Sequence, residues 1–363
     1  MSATPPSIGE LVSALDRVAP LVKAAGWDPV GLQFGDPGAA AANVAVCHEV
    51  TEAVLAAMAA QPVDLLVTYH PLLFRPTSRL ISGTDAAGRA YRMIRDGVAL
   101  AVVHTAYDVV ADGAADALAD ALGLSDRSSF GVAWGADTVK VVTYVPADAA
   151  DSVMNGMAAA GAGVIGNYTA CSFRVAGTGT FFAGEGTSPV AGAPGSGNAE
   201  PETRVEMVAP ASSVDRVVAA LVAAHPYEEP AYDVYDVRAN AGFVGRAGKL
   251  PRPLPLDEFA RHVATVLDAE CRIAGDRSAP VATVGAVPGS GGSFVSTASV
   301  DVVVTGDVRH HDARSALERG VAVVDPGHAA TERPGVAKLY AAVARLVDGA
   351  IDLTGVDADP WQG

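Results

Sequence analysis

The chain has few cysteines, few aromatic residues and no uninterrupted apolar run of membrane-spanning length. A membrane-spanning helix needs about 18 or more consecutive apolar residues, so none is predicted. The first residues, "MSATPPSIGELVSALDRV", lack the basic segment and apolar core of a secretory signal. We therefore expect no membrane partner and no secretion, and the cytoplasm is the predicted location.

Cysteine is represented only by Cys47, Cys171 and Cys271, which lie far apart. This spacing excludes a CxxC-type zinc site and is typical of reduced thiols. Basic residues are also scarce, because 25 Lys and Arg stand against 41 Asp and Glu, for a formal net charge of -16. Such a charge repels a phosphate backbone, so no nucleic acid is expected as a partner. Any bound metal must be held by histidine and carboxylate ligands.

Up to about residue 137, the sequence alternates short apolar strands with helices, as in "NVAVCHE", "TEAVLAAMAAQ", "DLLVTYHP" and "ALAVVHTAYD". The pattern predicts an α/β fold, with a mainly parallel sheet that has helices on both faces. Residues 138–238 have a different, α+β texture with Gly- and Pro-rich loops, and the α/β texture then resumes in "DVVVTGD" and "GVAVVD". We predict a discontinuous core, residues 1–137 and 239–363, interrupted by an inserted α+β domain, residues 138–238.

Most of the eight histidines follow the predicted strands. The histidines at or just beyond strand ends are His48, His70, His104, His310, His311 and His328. In open α/β sheets, ligands bind at the carboxyl ends of the strands. The pattern favours a shared site, and the alternative is a set of hydrogen-bonding histidines with no common purpose.

Three carboxylates each lie four residues from one of these histidines: Asp108 from His104, Asp307 from His311, and Glu332 from His328. Imidazole nitrogen with carboxylate oxygen suits a divalent Zn, Mn, Fe, Co or Ni ion, although a single pair at this spacing is more often a surface pair on a helix. In the last pair, we expect Thr331 to cap a helix whose first turn contains Pro334. His328 would then come from the preceding loop.

The motifs "WDPVGLQFGD", "HPLLF", "HTAYD", "TGDVRHHDA" and "DPGHAATE" together resemble those of the Nif-three-like dinuclear-metal family, also known as GTP cyclohydrolase I type 2 homologues. In the insertion, "GAGVIGNYTACSF", "GTGTFF" and "AHPYEEPAYDVY" resemble the PII-like domain of longer members. The resemblance implies a toroidal homohexamer with paired metals. Its implied metal ligands are His70, Asp108, His328 and Glu332, with Glu332 able to bridge two ions and His311 nearby.

Tyr69 departs from this family pattern, because the family usually has two consecutive histidines before the proline. A neutral phenol is a poor metal ligand, and deprotonating it is costly at its ordinary pKa near 10. Tyr69 would therefore be a ligand only as a phenolate. With that ligand the chain would hold two divalent ions, and without it one tightly bound ion. His48 or Glu49 could compensate for the missing imidazole.

Two functions agree with these features. In the first, the protein is a metal-dependent hydrolase, like GTP cyclohydrolase, that acts on a nucleotide or a small phosphorylated compound. His311 or His104 would move protons in this reaction, and Asp307 is a third candidate catalytic residue. The Gly-rich segment 285–294 could hold a phosphate or be an ordinary turn. Trp27 could stack on a base, but we expect it to be a buried loop anchor. In the second, the protein stores, delivers or senses metal without catalysis, and the PII-like domain is regulatory.

Overall fold

The structure is a computed structural model that describes residues 5–132, 138–165, 168–237, 242–356 and 359–361. The chain divides into two compact units: Met1–Ala133 with Ala241–Gly363, and Trp134–Asn240. Of the predicted domain boundaries, residues 137, 238 and 239 lie outside the described residues. So do Gly166 and Asn167 of the motif "GAGVIGNYTACSF".

The α-helices are α1 (Ile8–Val18), α2 (Glu52–Met58), α3 (Ala86–Arg95), α4 (His104–Asp108), α5 (Ala114–Ala121), α6 (Ala150–Ala159), α7 (Val214–Ala224), α8 (Leu256–Leu267), α9 (His310–Glu318) and α10 (His328–Val343). The strands are β1 (Gly31–Phe34), β2 (Val44–Cys47), β3 (Leu65–Thr68), β4 (Ala99–Val102), β5 (Ser125–Val132), β6 (Thr138–Val145), β7 (Phe173–Phe182), β8 (Gly197–Pro210), β9 (Tyr232–Asp236), β10 (Phe243–Pro255), β11 (Arg272–Ala274), β12 (Pro280–Ser290), β13 (Val302–Gly306), β14 (Ala322–Asp325) and β15 (Ile351–Asp352).

The first unit contains a five-stranded sheet in the order β1-β4-β3-β2-β15. All its strand pairs are parallel except β1 with β4. Alternate strand residues face opposite sides. Val46 and Val67 pack with residues of α1 and α10, whereas Leu66 and Leu100 pack with residues of α2 and α3. Burial on both faces explains why these strands are continuous apolar runs.

The same unit contains a second, six-stranded sheet in the order β11-β14-β13-β12-β10-β5. Its centre, β12-β13-β14, is parallel, and the outer pairs are antiparallel. The α/β prediction is confirmed, but the core has two sheets where one was expected. A short apolar segment indicates a buried strand without indicating which strand lies beside it.

Helix α10 connects the two sheets of the first unit. Val336 and Leu339 pack in the core of the five-stranded sheet, and Ala330 packs in the core of the six-stranded sheet. The predicted start of this helix is wrong, because it begins at His328 and Pro334 lies inside it. The Thr331 hydroxyl accepts a hydrogen bond from the Gly289 amide and donates one to the His328 carbonyl, so it does not cap a helix.

The second unit contains a four-stranded antiparallel sheet in the order β7-β8-β6-β9. Helices α6 and α7 cover one face, where Met157 and Leu221 pack against Val205 and Met207. Across the described ranges of both units, every helix is too short or too polar to cross a bilayer.

Candidate metal centre

Three histidines lie side by side at the carboxyl edge of the five-stranded sheet. His48, His70 and His104 follow the neighbouring strands β2, β3 and β4. The ring centroids of His48 and His70 are 5.0 Å apart, as are those of His70 and His104. These distances match the spacing of about 4.8 Å between adjacent strands. The sheet itself therefore sets the spacing of the imidazoles.

Glu332 of α10 meets this row of histidines. Its Oε2 atom lies 2.8 Å from His48 Nε2 and 3.0 Å from His70 Nε2, and its Oε1 atom lies 3.0 Å from His328 Nε2. The side chains of His48, His70 and Glu332 offer ligand atoms within 4.8 Å of one another. Since Glu332 is only 3% exposed, a buried carboxylate is surrounded by imidazole nitrogens.

The protonation of these groups follows from their contacts. Burial alone would raise the pKa of Glu332, but hydrogen bonds from His328, His48 and His70 hold that pKa well below its usual range. Burial opposes a charge on His328, yet its contacts with Glu332 and Asp307 raise its pKa to about 9. The pKa of His70 is also raised, because its hydrogen bond with Glu332 outweighs burial. The carboxylate is thus ionised and available as a ligand.

Asp307 orients His328. Its Oδ2 atom lies 2.7 Å from His328 Nδ1, so both ring nitrogens of His328 face carboxylates. Such an outer carboxylate fixes the orientation of a metal-binding histidine. The predicted partner of Asp307, His311, is instead exposed on α9 and contacts the ring of His310. The four-residue spacing of Asp307 and His311 does not produce an ion pair in the described part of the chain.

His104 is held by a carboxylate that the sequence analysis missed. Its Nδ1 atom lies 2.9 Å from the Asp28 carboxylate, whose side chain is fully buried. Asp28 also accepts hydrogen bonds from the amide and hydroxyl of Thr105. His104 has a φ of 27°, a strained conformation of the kind that clusters at functional sites. Asp28 lies in "WDPVGLQFGD", where only the family resemblance drew attention to it.

The sequence of this chain matches known proteins over nearly its whole length. It matches the family model described as Duf34/NIF3 (NGG1p interacting factor 3) over residues 6–359. The chain belongs to the Duf34/NIF3 family. The predicted resemblance is thereby confirmed.

Two relatives of this NIF3-family protein are both named "GTP cyclohydrolase 1 type 2 homolog". The one from Mycobacterium tuberculosis is 38% identical over 368 residues, covering 98% of this chain and 96% of the relative. The one from Bacillus subtilis is 34% identical over 326 residues, covering 88% of this chain and 87% of the relative.

Solved structures show the same fold. The Bacillus cereus protein related to NIF3 is 32% identical with a TM-score of 0.66, and the match covers 99% of this chain and 100% of that one. Staphylococcus aureus protein SA1388, at 23% identity and a TM-score of 0.66, covers 100% of both chains. At that identity the second likeness concerns the fold alone.

In this NIF3-family protein, the ring of Tyr69 lies 5.0 Å from the ring of His70, but its hydroxyl is directed to Asp108. The Tyr69 hydroxyl donates a short hydrogen bond to Asp108 Oδ1. Burial and the charge of Asp108 raise the pKa of Tyr69 well above its usual value. Burial also raises the pKa of Asp108 to about 6, although the nearby His104 and the Tyr69 hydrogen bond oppose the shift. The neutral phenol therefore occupies an oxygen of one predicted ligand, Asp108.

His48, which the sequence analysis named only as a possible substitute, faces Glu332, while the neighbouring Glu49 is exposed. The strand pattern of "NVAVCHE" is the sequence feature that could have distinguished His48 from Glu49. Because side chains alternate along an extended chain, His48 and Glu49 point in opposite directions. His48 thus places an imidazole beside that of His70 in the cluster.

The Gly-rich segment 285–294 packs against the cluster. The Gly289 amide donates to Thr331 and the Gly291 amide donates to Thr305, so neither amide is directed to a phosphate. Gly289 has a φ of +63°, and a Cβ there would lie 2.5 Å from Glu332 Oε1. The glycine is required by the close approach of the backbone to the buried carboxylate.

Trp27 was expected to be a buried anchor, and this prediction is wrong. It is 61% exposed and its ring lies 5.7 Å from that of Phe74, which is 49% exposed. The Trp27 ring also lies 6.3 Å from the His104 ring. An exposed aromatic pair therefore borders the histidine row.

The residues of this NIF3-family protein fit a divalent metal ion. Imidazole nitrogens of His48, His70 and His328 surround the ionised carboxylate of Glu332, and this mixture of donors is typical of Zn, Fe, Mn, Co or Ni sites. The absence of a side chain at Gly289 leaves the space that Glu332 Oε1 occupies. A metal-binding site is therefore possible in this cluster.

Proposed function

We propose that the protein is a divalent-metal-dependent hydrolase that acts on a nucleotide or another small phosphorylated compound. The observation that supports this proposal is the convergence of His48, His70 and His328 on the buried Glu332, at the sheet edge where α/β proteins bind ligands. The names of the relatives, GTP cyclohydrolase 1 type 2 homologs, agree with a hydrolytic reaction on a nucleotide.

His48, His70, His328 and Glu332 would hold the ion, which when bound would act as a Lewis acid and lower the pKa of a water molecule. His104 would move the proton. Asp28 holds its Nδ1 at 2.9 Å, so a proton would be exchanged with the substrate at Nε2. Trp27 and Phe74, beside His104, would contact a planar part of the substrate.

A second function, metal storage, delivery or sensing without catalysis, is favoured by one observation. The amides of Gly289 and Gly291, beside Glu332, donate to threonine hydroxyls, so these two amides do not contribute to a phosphate nest of the kind that a hydrolase of phosphorylated compounds would use. In that case, the contact between His104 and Asp28 would only stabilise the carboxyl edge of the five-stranded sheet.

The test combines metal analysis with two variants. Purified protein is assayed for metal content and then against a panel of nucleotides, including GTP, with and without chelator. We expect Glu332→Gln to lose both metal and turnover. His104→Gln should keep its metal and lower turnover by about 100-fold or more, the size of a general acid–base contribution. Glu49→Gln, an exposed neighbour, serves as the control.

Three results would separate the proposals. Turnover that persists in chelator would refute metal dependence. Metal bound tightly with no turnover on any compound would favour storage or sensing. A His104→Gln variant with unchanged turnover would remove His104 from the proton transfer while leaving the metal site intact.

A further inference from the structure

The four-stranded sheet of the second unit has one face that its helices do not cover. On β8, Val205 and Met207 face α6 and α7, so Glu202 and Arg204, at alternate positions, face the other way. A cleft of about 640 Å³ lies on this second face, between β7, the loop that follows it and residues 227–231. This volume is within the range of about 300–1,000 Å³ that is usual for small-molecule sites.

His225 of the motif "AHPYEEPAYDVY" fixes one wall of the cleft. Its Nδ1 atom accepts a hydrogen bond of 3.1 Å from the Tyr227 amide, so its Nε2 carries the proton donated to the Tyr144 carbonyl at 3.0 Å. Burial lowers the pKa of His225, which keeps the ring neutral. The residues that follow, Tyr227, Glu228 and Glu229, line the cleft.

The Tyr227 hydroxyl has no hydrogen-bond donor within the described part of the chain. Its oxygen is buried, and no donor of these residues reaches it. Burial and the interaction of this hydroxyl with the Glu202 carboxylate raise the pKa of Tyr227 to about 12, so the phenol is neutral and its oxygen can accept a hydrogen bond. A ligand group that donates a proton would bind to this oxygen, at a point close to the Glu202 carboxylate.

The charges around the cleft favour a cation. The carboxylates of Glu202, Glu228 and Glu229 line it, together with the guanidinium of Arg204. That guanidinium is paired with Glu206, because its Nε donates to Glu206 Oε1 at 2.8 Å. Three carboxylates against one paired guanidinium attract a cation more than an anion.

The remaining walls are apolar or aromatic. Val175 and Phe181 of β7 line the cleft together with the rings of Tyr144 and Tyr227. Tyrosine rings attract organic cations through their negative faces, and Arg204 already lies 5.9 Å over the Tyr144 ring. These walls suit the apolar body of a ligand whose charged end lies at Glu202.

We propose that this cleft binds a small organic cation, an ammonium group on an apolar body. The ammonium group lies between the Glu202 carboxylate and the Tyr227 hydroxyl, and the apolar body packs against Phe181 and Val175. The site lies wholly within the second unit, so it is independent of the metal centre and of the hydrolase proposal.

The test uses three probes with the same phenyl body and different charge: 2-phenylethylamine, 2-phenylethanol and 3-phenylpropanoate. Binding to the full-length protein is measured by calorimetry, before and after treatment with chelator. We expect the amine to bind at least about tenfold more tightly than the alcohol, and the carboxylate not to bind. Chelator should change none of these affinities.

Two variants locate the site, and a third controls for charge. Glu202→Gln and Tyr227→Phe should each weaken amine binding about tenfold, with unchanged thermal unfolding to show that the unit is folded. Glu185→Gln removes an exposed carboxylate that does not line the cleft and should have no effect. Equal binding of the three probes, no saturable binding of the amine, or an equal loss in Glu185→Gln would each overturn the proposal.

Discussion

Glu332 Oε2 lies 2.8 Å from His48 Nε2, although the two residues are 284 positions apart in the sequence. His48 comes from the end of β2 and Glu332 from the second turn of α10, so the contact exists only because α10 packs against the five-stranded sheet. Of the two residues that could compensate for the missing imidazole, His48 and Glu49, this contact favours His48.

The first prediction concerns His48. Loss of a hydrogen bond that orients a metal-binding residue lowers metal affinity by roughly 10- to 100-fold. Replacing His48 with Gln should lower the affinity by more than this, because a metal ligand itself is removed. Metal content after dialysis, measured by mass spectrometry, gives the result. Glu49→Gln is the matched control at the exposed neighbour. Equal metal content in both variants would show that His48 is not a ligand.

The second prediction concerns Tyr69. Tyr69→Phe should leave about one tightly held metal per chain, because a neutral phenol contributes little to a divalent cation. The variant should lose about 1–3 kcal/mol of stability, since Asp108 loses a buried hydrogen-bond donor. Tyr107→Phe, at the ring 6.5 Å away, is the control. A fall from two metals to one in the Tyr69 variant would instead identify the tyrosine as a ligand.

The third prediction concerns Gly289. Gly289→Ala should displace Glu332 and reduce metal binding, because the new Cβ would lie 2.5 Å from Glu332 Oε1. Gly97→Ala provides the control: its φ of +77° is equally unfavourable for alanine, but no atom lies within 4 Å. Both variants should lose about 1–2 kcal/mol of stability from backbone strain. If Gly289→Ala and Gly97→Ala impair metal binding equally, backbone strain rather than contact with Glu332 explains the loss.

The fourth prediction concerns pH and His225. Burial lowers the pKa of His225 in the folded protein, so the unfolded chain binds its proton more readily. Stability should therefore fall as pH drops below about 6.5, by at most about 1.4 kcal/mol per pH unit from this group. Thermal unfolding of the wild type and His225→Gln between pH 7.5 and 5 measures the difference. His262→Gln, at an exposed histidine of α8, should keep the wild-type slope; an unchanged slope in His225→Gln would contradict the prediction.

The sequence was sufficient for the parts of the site that follow from local pattern. Apolar runs identified β2, β3 and β4, and the histidines that end them were expected at one edge. Glu332 and His328 were paired by their four-residue spacing, although His328 was expected in the loop before the helix. These predictions depend on periodicity within a segment, which a sequence displays directly.

Contacts between distant segments could not be predicted in the same way. Asp28 and His104 are 76 residues apart, and no local pattern relates them. The spacing of Asp307 and His311 was misleading, because Asp307 has a φ of +53° and contacts His328 instead. The division of the core into two sheets was also missed, since strand partners are set by tertiary packing.

The separation of the cluster's residues along the chain has a consequence for biosynthesis. His70 meets Glu332 across 262 positions, and the whole of the second unit is synthesised between them. At about 5–20 residues per second, a ribosome needs roughly 10 to 50 seconds to cover that distance. The histidines of the nascent chain therefore emerge long before their carboxylate partner, and a chain that terminates early has no completed cluster.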